Sequence, residues 1–291
     1  MTSKAKIGYV GVGLMGMPMA KRLLSLGYTV RAYDISLQSM AAARDAGMAA
    51  ASSAGDAVRG ADLVLTNLPT PEAVEAAVFG ENGVASALRP PQLLIDFSTI
   101  KVYQCKVFAR RLREMTGAGW IDAPVSGGPP ASVSGTLTVM AGGEAADIER
   151  TRPFFADVAG RFTHMGPPGA GMAAKMLNQL IVGAGHAVMA EAVVLAEAAG
   201  IDPARLPECL AGGLADSPLL QRLYPRMVAR DFAPQGYVRQ LLKDLEMVNE
   251  FAGALKAPTP MMSEALTLYR MLAHLGHSEL DTAALLKLYE R

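Results

Sequence analysis

The chain has 291 residues, 51% of them hydrophobic, and its 27 basic and 27 acidic side chains balance to zero at pH 7. That length and apolar content suit one large or two medium globular domains, and the even spread of charge, without a basic run, excludes a nucleic-acid footprint. Met1-Thr-Ser-Lys-Ala-Lys6 leads directly into a strand-like Ile7-Gly-Tyr-Val10, which leaves no room for an apolar leader and points to a cytoplasmic protein.

Strands are predicted over residues 6–10, 29–33, 62–67, 93–96, 119–122, 137–141 and 161–164, each run rich in β-branched and aliphatic residues. Helical patterns fall between them, over 14–26 and from about residues 37, 52, 71, 102 and 145. Gly27 supplies the left-handed residue that ends a helix, and Pro71 suits a first helical position, where its missing N–H is harmless. Alternation of this kind is the pattern of a parallel α/β sheet. Beyond residue 165 the strand signals stop, and helices are predicted over 170–199, 202–212, 217–229, 238–255, 259–274 and 281–289. The expected fold is therefore α/β, with an N-terminal Rossmann dinucleotide-binding domain (1–164) followed by an all-α C-terminal substrate and oligomerisation domain (165–291). The Leu- and Met-rich faces of the second half imply a homodimer or homotetramer. Cys105 and Cys209 lie far apart, in no metal or redox spacing, and are expected as free thiols. No acid or cysteine set completes a site around the His274/His277 pair, so no metal is expected.

The first predicted strand runs into Gly11-Val-Gly13-Leu14-Met15-Gly16. With 29 glycines in the chain, such a pattern alone is weak, but here a strand precedes it, an apolar helix follows, and a second strand ends in Asp34. Gly11 permits the tight turn, Gly13 lets backbone donors reach a pyrophosphate, and Gly16 lets helix and strand pack closely. The helix N-terminus then favours the phosphate charge. Asp34 can accept from both adenosine ribose hydroxyls, while its charge repels a 2′-phosphate, and Ile35 stands where an NADP site would place an arginine. NAD is expected rather than NADP. Asn67-Leu68-Pro69 and Ser98-Thr99 end later strands, where ligands of such folds lie, although each could equally cap the next helix.

Lys175 lies in the most apolar long stretch, residues 165–190. The stretch is long enough to suggest a membrane span, but Pro167, Pro168, Lys175, Asn178, Gln179 and His186 interrupt it, so a buried helix is the better reading and no membrane is expected. A buried ammonium is costly unless something uses it, although a lysine whose head snorkels to water is the ordinary alternative. Asn178 and Gln179 follow three and four residues on and project from the same face. A cation beside amides on an apolar helix suits a lined cleft in which the lysine donates a proton to a substrate oxygen.

These residues resemble the β-hydroxyacid dehydrogenases, the family of 3-hydroxyisobutyrate dehydrogenase and tartronate semialdehyde reductase. Val10-Gly-Val-Gly-Leu-Met-Gly-Met-Pro-Met19 is similar to the family's N-terminal signature. Asp122-Ala-Pro-Val-Ser-Gly-Gly-Pro129 with Gly135-Thr-Leu137 is similar to its substrate segment. Gly169-Ala-Gly171 with Lys175 and Asn178 is similar to its catalytic segment, and Lys243-Asp-Leu245 completes the ordered set. The resemblance implies that Lys175 is the catalytic lysine, assisted by Asn178, and that Ser126, Gly127 and Gly128 bind a small substrate's carboxylate, with Gln179 nearby. It also implies that Thr99 and Lys243 touch NAD. Adjacent glycines and a serine hydroxyl can form an anion-binding concavity, although a plain turn before Pro129-Pro130 would read the same way. Without the resemblance, Lys243 among Arg239, Asp244 and Glu246 reads as a solvated helical face. The pair Asn178-Gln179, where many relatives carry two asparagines, is as in tartronate semialdehyde reductases. Related imine reductases usually lack the lysine. A non-catalytic nucleotide-binding module is the competing class, against which the intact Lys175, Ser126 and Asn178 speak.

Overall fold

The structure, a computed structural model, describes residues 4–290; the first three residues, part of the segment that carries the no-leader expectation, lie outside them. The chain divides into two compact units, one ending at Lys175 and the other starting at Met176.

The first unit alternates strands and helices in the order β1 (Lys6–Val10), α1 (Gly16–Ser25), β2 (Thr29–Tyr33), α2 (Leu37–Asp45), β3 (Ala49–Ala50), α3 (Ala54–Val58), β4 (Leu63–Thr66), α4 (Pro71–Phe79), α5 (Val84–Ala87), β5 (Leu93–Asp96), α6 (Val102–Thr116), β6 (Gly119–Asp122), β7 (Val125–Ser126), α7 (Gly128–Ser134), β8 (Leu137–Gly142), α8 (Ala145–Val158) and β9 (Ala159–Gly166). The sheet runs β3-β2-β1-β4-β5-β6-β8-β7, with β9 beside β8. The strands from β3 to β6 are all parallel, in the dinucleotide-binding order, while β8 pairs antiparallel with β6 and β7. The chain order therefore reverses at β1, between β2 and β4, and the loops that follow β1, β2 and β4 meet at that switch point.

Both faces of this sheet are covered, which is why its strands read as continuous apolar runs. Ile7, Tyr9, Leu65, Ile95 and Ile121 are buried beneath Met19 and Leu23 of α1 and Phe154 and Phe155 of α8. Each large side chain so buried contributes roughly 1.5–3 kcal/mol. Elements α5, β7 and α7 were not foreseen, and neither was β3: each is too short to show a hydrophobic period, and α7 opens on Gly128-Pro129-Pro130, which reads as a turn. Strand β9 starts two residues before the predicted 161, directly at the end of α8.

The second unit is helical. Helix α9 (Ala170–Ala198) begins in the first unit and continues into this one, followed by α10 (Leu206–Leu210), α11 (Pro218–Val228), α12 (Val238–Ala254) and α13 (Pro260–His274). Its core gathers Ala190, Val193, Leu220, Leu223, Tyr224, Met227, Ala283 and Leu286. Two predicted helices differ. Residues 202–212 open as a 3-10 turn, Pro203–Arg205, before α10, and the closing segment is a 3-10 helix, Thr282–Leu288. There Ala283, Ala284, Leu285 and Leu286 are all buried, so no exposed face selects the 3.6-residue period, and the tighter winding brings Ala284 N to 2.9 Å from Asp281 O. Asp281 anchors this end, accepting from Arg226 at 2.9 Å and from Gln235 N and Gly236 N at 2.7 and 3.0 Å.

Helix α9 has a mean hydropathy of 1.6 over its most apolar window and is long enough to cross a membrane. It buries Met172, Met176, His186, Ala190 and Val193 and leaves Leu177, Ile181, Val188 and Leu195 exposed.

Candidate active site

Glycine clearances explain the turn after β1. A Cβ at Gly11 would lie 2.3 Å from Asn67 O, and one at Gly16 would lie 2.1 Å from Gly11 O, whereas one at Gly13 would meet nothing within 4 Å. Gly11 and Gly16 thus close the loop upon itself, and Gly13, with Leu14 and Met15 beside it, faces open space at the start of α1. That opening, together with the helix N-terminus, fits a dinucleotide pyrophosphate. At the end of β2, Asp34 accepts from Val12 N at 2.9 Å and from Ser36 N at 2.8 Å, one bond to each carboxylate oxygen. The carboxylate is held beside the glycine loop, and the uncharged Ile35 next to it is 90% exposed.

The loops after β4 and β5 are tied together. Thr66 Oγ1 and Ser98 N donate to Asp96 Oδ1 at 2.8 and 3.0 Å, and Leu68 N donates to Ser98 Oγ at 2.9 Å. Asn67, Leu68 and Pro69 are therefore fixed against the Ser98-Thr99 turn at the same sheet edge as the glycine loop.

The segment after β6 carries the residues expected for the carboxylate. Gly127 and Gly128 adopt φ of 125° and 68°, a left-handed stretch that turns Ser126 from β7 into α7 and sets successive backbone N–H groups on a concave bend. Ser132 of α7 reaches back to Met15 O at 3.4 Å, which places this bend next to the nucleotide loop. Lys175, on the second turn of α9, is 7% exposed and donates from Nζ to Val125 O at 2.8 Å. The structure thus brings the lysine to the residue just before Ser126.

One acidic group behind this arrangement carries a role that the sequence did not disclose. Asp122, at the end of β6, is fully buried and accepts from Gly169 N at 2.7 Å and Met172 N at 2.8 Å. Burial pushes its carboxyl up to about 7, against the pull of the backbone donors. Burial also pushes up the neighbouring Cys105 thiol, with Asp122 and Asp96 adding to the shift. Cys105 and Cys209 are both free thiols. The signal for Asp122 was an acid at the end of an apolar strand, where a charge is retained only with partners.

In the second unit, Asn178 Nδ2 donates to Gln179 Oε1 at 2.7 Å, and Gln179 Nε2 donates to Asp244 Oδ2 at 2.6 Å. Lys243 Nζ stands 3.3 Å from Asp244 Oδ1. Asp244 is 8% exposed, so the solvated-face reading of this part of α12 fails for it: the carboxylate points inward because the amide of Gln179 receives it. Asn178, Gln179 and Lys243 thus belong to one chain of polar contacts within the second unit.

Two family models cover nearly all of the chain. One, described as the NAD binding domain of 6-phosphogluconate dehydrogenase, matches residues 6–166, and the other, described as NAD-binding of NADP-dependent 3-hydroxyisobutyrate dehydrogenase, matches 169–289. The NAD-dependent L-serine dehydrogenase of Pseudomonas aeruginosa is 35% identical, covering 98% of each chain. The 2-hydroxy-3-oxopropionate reductase of Escherichia coli is 33% identical, over 98% of this chain and 97% of that one. Among solved structures, 3-hydroxyisobutyrate dehydrogenase of Mycobacterium tuberculosis with L-serine is 31% identical and superposes with a TM-score of 0.88 over 99% of both chains. With its glycine loop, Asp34 and end-to-end matches, the chain belongs to the β-hydroxyacid dehydrogenase family and is an NAD-dependent oxidoreductase.

Proposed function

We propose that the chain catalyses the reversible conversion of a small 3-hydroxy or 2,3-dihydroxy carboxylic acid to its semialdehyde, and that its substrate is 2-hydroxy-3-oxopropionate, tartronate semialdehyde. The observation that carries this reading is the bond from Lys175 Nζ to Val125 O at 2.8 Å, one residue ahead of Ser126-Gly127-Gly128. The backbone N–H groups of the glycines and the Ser126 hydroxyl hold the substrate carboxylate. The Gly11–Gly16 loop, Asp34, the Asn67-Leu68-Pro69 loop, Thr99 and Lys243 would hold NAD, which when bound would supply or receive the hydride. An ammonium group has three N–H donors, and the one on Val125 O fixes where the others point. Lys175 stabilises the charge growing on the carbonyl oxygen and protonates it; in oxidation the neutral amine takes the hydroxyl proton. Asn178, its amide oriented by Gln179, steadies the lysine or the substrate hydroxyl.

The choice of tartronate semialdehyde is supported by the Asn178-Gln179 pair and by the similarity to the Escherichia coli reductase. L-Serine, itself a 3-hydroxy acid, is the second reading, favoured by the similarity to the Pseudomonas aeruginosa enzyme. Purified protein assayed with tartronate semialdehyde and NADH, and with L-serine, 3-hydroxyisobutyrate and threonate and NAD, each repeated with the phosphorylated cofactor, tests the assignment. The highest kcat/KM is expected for tartronate semialdehyde with NADH; a higher value for another acid moves the assignment to it.

We further propose that residues 1–164 carry NAD, that 165–291 complete the substrate site and oligomerise, and that the enzyme is a cytoplasmic homodimer or homotetramer. Leu177, Ile181, Val188 and Leu195 are exposed on α9 at spacings of four, seven and seven, the seam of a helix that packs on a partner helix. Light scattering should give a multiple of the 30.5 kDa chain mass.

A further inference from the structure

We propose that Asp122 is a positioning residue for the proton-donating lysine: from the end of β6 it clamps the first turn of α9 so that Lys175 meets the Val125 carbonyl. The inference rests on Lys175 acting as the proton donor.

Gly169 immediately precedes α9 and Met172 lies in its first turn, so both carry N–H groups that the helix itself leaves without an acceptor. Each is aimed at a different oxygen of Asp122, at 2.7 and 2.8 Å. Two such bonds, one to each oxygen of a single carboxyl group at a rigid strand end, fix both the position of the helix start and its rotation. Rotation matters because Lys175 stands three residues beyond Met172, less than one turn on, and its bearing follows that of the turn that Asp122 holds.

The strand side is equally constrained. Asp122 and Val125 belong to one short segment, so the carboxylate that grips the helix and the carbonyl that receives the ammonium move together. A Cβ at Gly171 would lie 2.4 Å from Met140 O and 2.6 Å from Asp122 O, and one at Gly142 would lie 2.6 Å from Asp122 Oδ1. Helix start, β6 and β8 are thus in direct backbone contact around the carboxylate, with no side chain to yield between them. Beyond Val125 the same segment enters Ser126-Gly127-Gly128, so Asp122 sets the lysine relative to the substrate cradle rather than relative to the sheet alone.

The test uses full-length protein with the faster of tartronate semialdehyde with NADH and L-serine with NAD. Asp122→Asn, isosteric and neutral, leaves one acceptor and turns an N–H toward a backbone N–H. Per NADH-binding site, titrated by fluorescence, its kcat is expected to fall at least tenfold while KM for the acid stays within threefold and NADH affinity within twofold. In a Lys175→Ala background the same substitution is expected to change the residual rate less than twofold, because its effect runs through the lysine. Asp122→Ser takes the place of Asp122→Asn if the latter binds no NADH. A kcat within twofold of the parent, an equal loss in both backgrounds, or loss of NADH binding in both variants would overturn the proposal, the last because Asp122 would then hold the fold and not the lysine. A Lys175→Ala protein with near-parental turnover would instead sink the proton-donor reading itself.

Discussion

The polar residues of the candidate site are held in opposite ways in the two units of the chain. In the first, groups at strand ends are fixed by backbone: Asp34 by Val12 N and Ser36 N, Asp122 by Gly169 N and Met172 N, Lys175 by Val125 O. In the second, side chain holds side chain, from Asn178 through Gln179 to Asp244 and from His186 to Tyr269. Backbone placement survives many changes of neighbouring side chain, whereas a relay of side chains is lost when one member changes. In the proposed mechanism, recognition and proton transfer would rest on the sturdier scaffold in the first unit, and orientation on the more adjustable one in the second.

The largest expected effect lies with the first unit. Lys175→Ala should lower kcat by about 10³-fold or more, in the upper range for loss of a general acid, with NADH affinity unchanged in a fluorescence titration; near-parental turnover would remove the contrast at its root. Next, Asp34→Ala combined with Ile35→Arg should shift the NADH to NADPH preference by about 10²-fold, since ribose contacts are exchanged for a cation beside the 2′-phosphate. An unchanged ratio of kcat/KM values would count against the ribose assignment. Gln179→Leu removes the middle of the relay and leaves Asp244 buried without its amide, and it should lower kcat/KM by about tenfold with a stability loss of about 1–3 kcal/mol. If it cost as much turnover as Lys175→Ala, the division between the units would fail.

The smallest effect is a difference in pH response. His186 is buried, and burial lowers its pKa to about 4 from an ordinary 6.5. Its contribution to stability is present above about pH 6.5 and is lost as pH falls through 4, by up to about 3 kcal/mol. Asp122 has the opposite sign: burial raises it to about 7 from 3.8, so its contribution is present below the ordinary carboxylate range and lost as pH rises through 7. Thermal melts between pH 4 and 8 should show the gap between parent and His186→Gln shifting against the parent as the solution is acidified. For Asp122→Asn the gap should shift against the parent as the solution is made alkaline. Parallel curves in both cases would show that neither buried group is linked to folding.

The same contrast explains what could be seen in the sequence. Gly11, Gly13, Gly16 and Asp34 were legible because backbone geometry demands particular residues at fixed spacing, and Lys175 was legible because a charge inside an apolar helix is anomalous. Strand β7 and helix α7 were hidden since two and seven residues set no period, and Pro129-Pro130 marked a turn instead. Asp122 was visible as a letter but not as a clamp, because its partners Gly169 and Met172 lie some fifty residues on and donate through backbone atoms that no side chain advertises. Asp244 was masked by its charged neighbours on α12, and only the Gln179 amide facing it explains its burial.

The clearances in the glycine loop separate two kinds of failure that a survey of variants would otherwise merge. Alanine at position 11 or 16 drives a methyl into a backbone carbonyl, so those proteins should be lost at the folding step, as insoluble or low-melting material. Alanine at position 13 meets empty space, so that protein should be made in full yield with an unaltered melting temperature, yet the dinucleotide would no longer protect it against heat. A screen that scores abundance alone would record Gly13 as freely replaceable, although in the proposed site that is where the loop would keep room for its guest.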